Sequence, residues 1–249
     1  MSTVITVSGG PRALGLSADG QFRLKDLQQV KIPGQGGTTW TWTTIIGDRS
    51  AKELVGTPVA LSPVQYDLWP TTGQASEGTV PYLRSHDNVT AHVVGDDPGD
   101  LDLKLIEAAK NPDGTIDCRK LVYFQWTENA AGEKRIPPRA NGTSVIVLQR
   151  EEDGATVYVR LSKTSSPVVQ RFFSEVAKQG LLPFQTVVSL GLEKVQGKKA
   201  PYSRVVPKFV RALDPEFRDF FREDFERISP LLRGSLEKYP KVDSDSVPF

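Results

Sequence analysis

Several runs along the chain alternate apolar and polar side chains with a period of two, the signature of half-buried β-strands. Thr38-Thr39-Trp40-Thr41-Trp42-Thr43-Thr44-Ile45-Ile46 is such a run. Val55–Leu61 and Tyr66–Trp69 predict a second strand pair. Residues 70–118 are rich in Gly, Pro and Asp and read as an irregular insertion with one short helix near Leu101–Ala109. The pattern is clearest over 119–210. Arg119–Thr127, Thr143–Arg150 and Ala155–Ser162 predict three strands, the last two joined by the turn Glu151-Glu152-Asp153-Gly154. Ser166-Pro167 then opens a helix with its apolar face at Val168, Val169, Phe172, Phe173 and Val176, and Gly180 ends it. Phe184–Val195 and Tyr202–Val210 predict two more strands. Past residue 211 the period becomes helical. Asp214-Pro215-Glu216 is a start signal, and Phe217, Phe220, Phe221, Phe225 and Ile228 form a stripe for docking on the sheet or on a second subunit. Pro230 predicts a second short turn running to about Tyr239.

The order β, β, β, α, β, β predicts an OB-fold-like five-stranded Greek-key barrel within a mainly β chain. Such barrels bind oligonucleotides on the face of strands 2 and 3 and with the loops joining strands 1–2 and 4–5. The expected organisation is an N-terminal arm (1–37) and a barrel domain (38–212) with the insertion at about 70–118. A helical segment (213–240) and a flexible acidic tail (241–249) follow. In this threading the two ligand-facing loops carry Lys134, Arg135 and Arg139, and Lys198 and Lys199.

Charge sharpens this picture. The chain of 249 residues has a formal net charge of +1, but the charges are segregated. Residues 119–211 hold 16 Lys and Arg against 7 Asp and Glu, whereas residues 1–118 hold 9 against 14. A basic segment of that size is the electrostatic footprint of a nucleic-acid binder. Single strands are held by aromatic rings under the bases and cations along the phosphates. Strand alternation puts Tyr158 beside Arg160, and Tyr202 with Arg204 and Lys208, on faces opposite the core; Trp40 and Trp42 share a face and either stack on bases or pack on the sheet.

Other chemistry finds little support. Cys118 is the only cysteine, which excludes an internal disulfide and a thiolate metal cluster. His86 and His92 have no metal-site spacing, and the cluster Asp96, Asp97, Asp100 and Asp102 lacks the spacing of a calcium loop. Gly191 to Lys199 departs from a phosphate loop. No cofactor and no enzymatic activity are expected. No stretch approaches a membrane span and no signal peptide is recognised, so a cytoplasmic location is expected, with a homo-oligomer open.

The sequence closes on Lys241-Val242-Asp243-Ser244-Asp245-Ser246-Val247-Pro248-Phe249. A terminal Phe offers an apolar ring and a carboxylate, Pro248 restricts the backbone before binding, and the two Asp attract a basic rim. This stretch resembles the acidic tip of bacterial single-stranded DNA-binding proteins, which ends in several Asp and then Ile-Pro-Phe. The resemblance covers 243–249, with a coarse match of element order over 119–210. It implies coating of single-stranded DNA and recruitment of replication, recombination and repair proteins. Phe249 would be the pocket anchor, Pro248 and Val247 its apolar lead, and Asp243 and Asp245 the electrostatic part. The tip has fewer acids than usual and the long linker is missing, so a divergent, phage- or plasmid-encoded version is expected. Two alternatives are a decoy that displays the tip without binding DNA and a nucleic-acid enzyme using residues 96–102.

Overall fold

The structure is a computed structural model that describes residues 27–44, 47–70, 81–128, 135–136, 138–197 and 200–237. In chain order it contains β1 (Gln28–Val30), β2 (Trp40–Thr44), β3 (Gly47–Ala51), β4 (Glu53–Leu61), β5 (Gln65–Leu68), β6 (Leu83–Ser85) and β7 (Thr90–Val93). Next come α1 (Leu103–Ala108), β8 (Ile116–Asp117), β9 (Thr127–Glu128) and β10 (Arg135–Ile136). The last part supplies β11 (Asn141–Arg150), β12 (Thr156–Leu161), α2 (Ser166–Lys178), β13 (Thr186–Val195), β14 (Tyr202–Ala212) and α3 (Pro215–Glu237). The described residues are mainly β, with a large antiparallel sheet and three α-helices. Its described residues form two compact units, 27–62 with 144–237, and 63–143.

The first unit is built on a sheet in the order β14-β13-β4-β11-β12-β1, antiparallel except where β1 runs parallel to β12. Both faces are covered. On one, Ile146, Leu148, Val157, Val159, Leu161, Val188, Leu190 and Val205 pack with Val169 and Phe173 of α2 and with Trp40 and Trp42 of the β2–β3 hairpin. On the other, Val145, Val147, Tyr158 and Val187 pack with Phe184 and with Phe221, Ile228 and Leu232 of α3. Each fully buried aliphatic side chain contributes about 1.5–3 kcal/mol, so the doubly covered sheet is the main source of stability. β4 approaches β11 closely at Gly56, where an added Cβ would lie 2.3 Å from the Gln149 carbonyl oxygen. Only a residue without a side chain fits there.

The start of α2 is fixed by hydroxyls. Ser165 is its N-cap residue, and its buried Oγ accepts the Val205 N–H of β14 at 3.1 Å. Ser166 Oγ lies 2.9 Å from Ser144 Oγ on β11. Gly180, with φ of +79°, follows the end of the helix, as expected for a residue past a C-cap.

The second unit is a smaller antiparallel sheet, β5-β6-β7-β8, whose β5 also pairs with Asn141–Thr143 of β11. Its core contains Leu68, Leu83, Ile106, Ile116, Leu121 and Phe124, with Cys118 fully buried among them. Burial pushes the Cys118 thiol up to about 11, although a Ser85 hydroxyl contact opposes the shift. A buried ion pair, Arg84 Nε to Asp67 Oδ1 at 2.8 Å, joins β6 to β5.

Several expectations change. Arg119–Thr127 is not a strand: Cys118–Lys120 and Val122–Phe124 are 3-10 turns, started by Asp117 Oδ1 accepting the Arg119 N–H. The strand that precedes β11 in the sheet is instead β4, far earlier in the chain. β4 and β5 do not pair with each other. Residues read as irregular contain β6 and β7, and the arm contributes β1 to the sheet. Pro230 lies inside one continuous α3 rather than opening a second turn. Among the described residues nothing joins β14 to β12 or β1, so the sheet is open and the expected closed barrel is not observed.

Candidate nucleic-acid interface

The residues expected to contact DNA fall into three groups. The first is buried. Trp40 has no exposed surface, and its Nε1 donates to the Leu190 carbonyl at 2.8 Å. Trp42 is 6% exposed, with the Arg150 guanidinium 4.5 Å from its ring centroid. Both are core residues of the hairpin, so the packing alternative describes them. Tyr158 is 9% exposed and belongs to the core beneath α3, whereas its strand neighbour Arg160 is exposed. The face opposite Val157, Val159 and Leu161 is a second interior at Tyr158, not a free platform.

The second group is accessible but ion-paired. Tyr202 and Arg204 are half-buried on β14, with Arg204 paired to Glu193 on β13. Lys208 is exposed and lies 3.4 Å from Glu53 on β4. Glu53 is held below the usual carboxylate range, first by the Ser189 hydroxyl and then by Lys208. Arg139 is paired to Asp100 at 2.7 Å and sits over the Tyr123 ring at 5.8 Å. Asp102 caps α1, and Asp97 Oδ1 accepts the Gly99 N–H. The acidic residues of 96–102 are thus occupied as caps and partners, and no metal-ligand cluster occurs among the described residues.

The third group lies outside the described residues: Lys134, Lys198, Lys199, Asp243, Asp245, Val247, Pro248 and Phe249. Arg135 lies in β10, where it is opposite Glu128 of β9.

The structure also exposes groups that the pattern did not single out. Phe209, next to Lys208 on β14, is 46% exposed. A cleft of about 850 Å³ opens between β1 and the β2–β3 hairpin, with Lys31, Trp42 and Arg49 in its lining. The loop from β1 to β2 also reaches the strand ends that flank residues 196–201. Ser203 Oγ donates to the Gly37 carbonyl at 2.7 Å, and the Lys194 stem packs on Gly36. The signal for Lys31 and Arg49 was faint, because each is a single cation in a segment whose local charge is unremarkable. No protein-family model matches the chain, and no curated protein or solved structure matches it either.

Proposed function

We propose that the chain binds single-stranded DNA through its first unit, using an opened OB-like sheet. The order of that sheet is the observation that carries the reading. Numbering β4, β11, β12, β13 and β14 from 1 to 5, the sheet runs 3-2-1-4-5, with α2 between strands 3 and 4. Its first four strands have the 4-1-2-3 spatial order of a Greek key. In this threading the 4–5 loop is residues 196–201, which include Lys198 and Lys199, and the 1–2 connection is the whole of 62–140. Charge supports the same assignment: residues 144–213 carry 11 Lys and Arg against 5 Asp and Glu. Phe209, exposed on the opposite face of β14 from Lys208, is the stacking candidate on that strand. Recruitment of replication and repair proteins by Asp243–Phe249 belongs to the same reading and rests on the resemblance of that stretch.

The experiment is a binding titration of fluorescent poly-dT over a salt series, with and without magnesium. Contact with roughly four phosphates gives a slope of log K against log salt of about −3. Phe209→Ala should cost about 1–3 kcal/mol of binding if its ring stacks on a base. Phe249→Ala, outside the DNA-binding unit, should bind poly-dT as the parent does. A flat salt response or equal affinity for duplex sinks the reading, and magnesium-dependent cleavage would show an enzyme instead.

A further inference from the structure

We infer that the cleft between β1 and the β2–β3 hairpin is a phosphate-binding subsite for a single DNA strand, an inference that rests on the reading above. At about 850 Å³ the cleft lies within the roughly 300–1,000 Å³ of small-ligand sites, enough for a nucleotide unit. Its lining includes Gln29, Lys31, Trp42, Asp48, Arg49 and Ser50. Most of these groups donate hydrogen bonds. The one carboxylate, Asp48, already accepts the Thr43 hydroxyl at 2.7 Å through Oδ1.

Two cations belong to the lining. Arg139, Arg204, Lys208 and Arg211 each face an acidic partner within their own unit. Lys31 and Arg49 are exposed and make no ion pair among the described residues. They come from different segments of the lining, Lys31 just past β1 and Arg49 on β3. Trp42 contributes only part of the wall, because its indole N–H is buried out of a ligand's reach. Hydrogen-bond donors and two cations set against one carboxylate favour an anion rich in acceptor oxygens, and a phosphodiester has that chemistry. The cleft also lies on the way to the 4–5 loop: the β1–β2 connection touches Ser203 and carries the Lys194 stem against Gly36. A strand that follows the proposed loop therefore meets these cations next, whereas a free small anion would make no use of that continuity.

The test compares the full-length parent with Lys31→Gln, Arg49→Gln and the double variant, each checked for an unchanged far-UV spectrum and melting curve. Both side chains are exposed, so the variants should fold. Loss of two phosphate contacts on a single strand should make the salt slope shallower by about 1.4, and each single variant by about half of that. The control Lys178→Gln, on the far part of α2 and paired with Glu175, should keep the parent slope. A double variant with the parent's slope overturns the subsite while the single-strand reading stands. A parent that does not bind poly-dT overturns both. If a peptide of residues 241–249 binds the parent and not the double variant, with the DNA slope unaltered, the cleft takes acidic peptide and the inference falls.

Discussion

Trp40 donates its indole N–H to a carbonyl of β13 from a fully buried position, so its chemistry belongs to folding. Trp40→Phe keeps most of the ring volume but leaves the Leu190 oxygen without its donor. The expected cost is about 1–3 kcal/mol of stability, read as a lower midpoint in urea at unchanged slope. DNA affinity of the folded protein should not move; an affinity loss at unaltered stability would return Trp40 to the binding surface. Alternation correctly placed Trp40 with Trp42, and Val157 with Val159 and Leu161, because side-chain direction in a strand is fixed by geometry. It did not reveal that Tyr158 is covered, since period two says which residues share a face and nothing about what lies on it. The covering element was itself visible, as the Phe217, Phe221 and Ile228 stripe; its docking on the face of Tyr158 is a tertiary fact.

At the level of elements, the strands over 141–212 and helix α2 were legible to within a few residues, because each had both periodicity and punctuation. Arg119–Thr127 failed for want of the second. It is apolar and aromatic enough for a strand, but Asp117 caps a turn there, and this local hydrogen bond competes with extended backbone. Helix α3 was read as broken at Pro230, yet it continues through that residue. α3 also carries a buried acid. Asp224 is 5% exposed; its carboxyl is raised by desolvation despite the Arg227 guanidinium at 2.6 Å, and its Oδ2 has no partner. Its folded pKa thus lies above the unfolded value, so the stability it contributes is full below about pH 3.9 and is lost as pH rises through the folded pKa. Asp224→Asn keeps the neutral form at every pH. It should therefore be more stable than the parent at pH 7, with the difference shrinking as pH falls toward 3.5. Urea unfolding of both proteins at the two pH values measures this, and a variant less stable at pH 7 would mean that the Arg227 pair outweighs the burial of charge.

For the whole molecule, the decisive feature is that 63–143 is inserted between two strands that are neighbours in one sheet. Leu61 of β4 is opposite Ile146 of β11. Beyond that pair, the Ser62 N–H donates to the Val145 carbonyl at 2.9 Å, and Ser62 Oγ accepts the Val145 N–H at 2.8 Å. The two ends of the insertion thus leave the first unit side by side, as hairpin strands do. A turn of a few residues can join them, and Asn-Gly followed by Ser144 supplies the positive φ that such turns need. The insertion also carries 8 Lys and Arg against 12 Asp and Glu, so its removal takes net negative charge from the chain. A variant with Asn-Gly in place of 63–143 should fold with one cooperative thermal transition and a β-type far-UV spectrum. It should bind poly-dT more tightly than the parent at low salt, with the gap closing as salt screens the charge. An unfolded product would show that the first unit depends on the second for its stability. A folded product that no longer binds would place the DNA contacts on the insertion, against the charge argument that puts them on β14, on the 4–5 loop and in the cleft of Lys31 and Arg49.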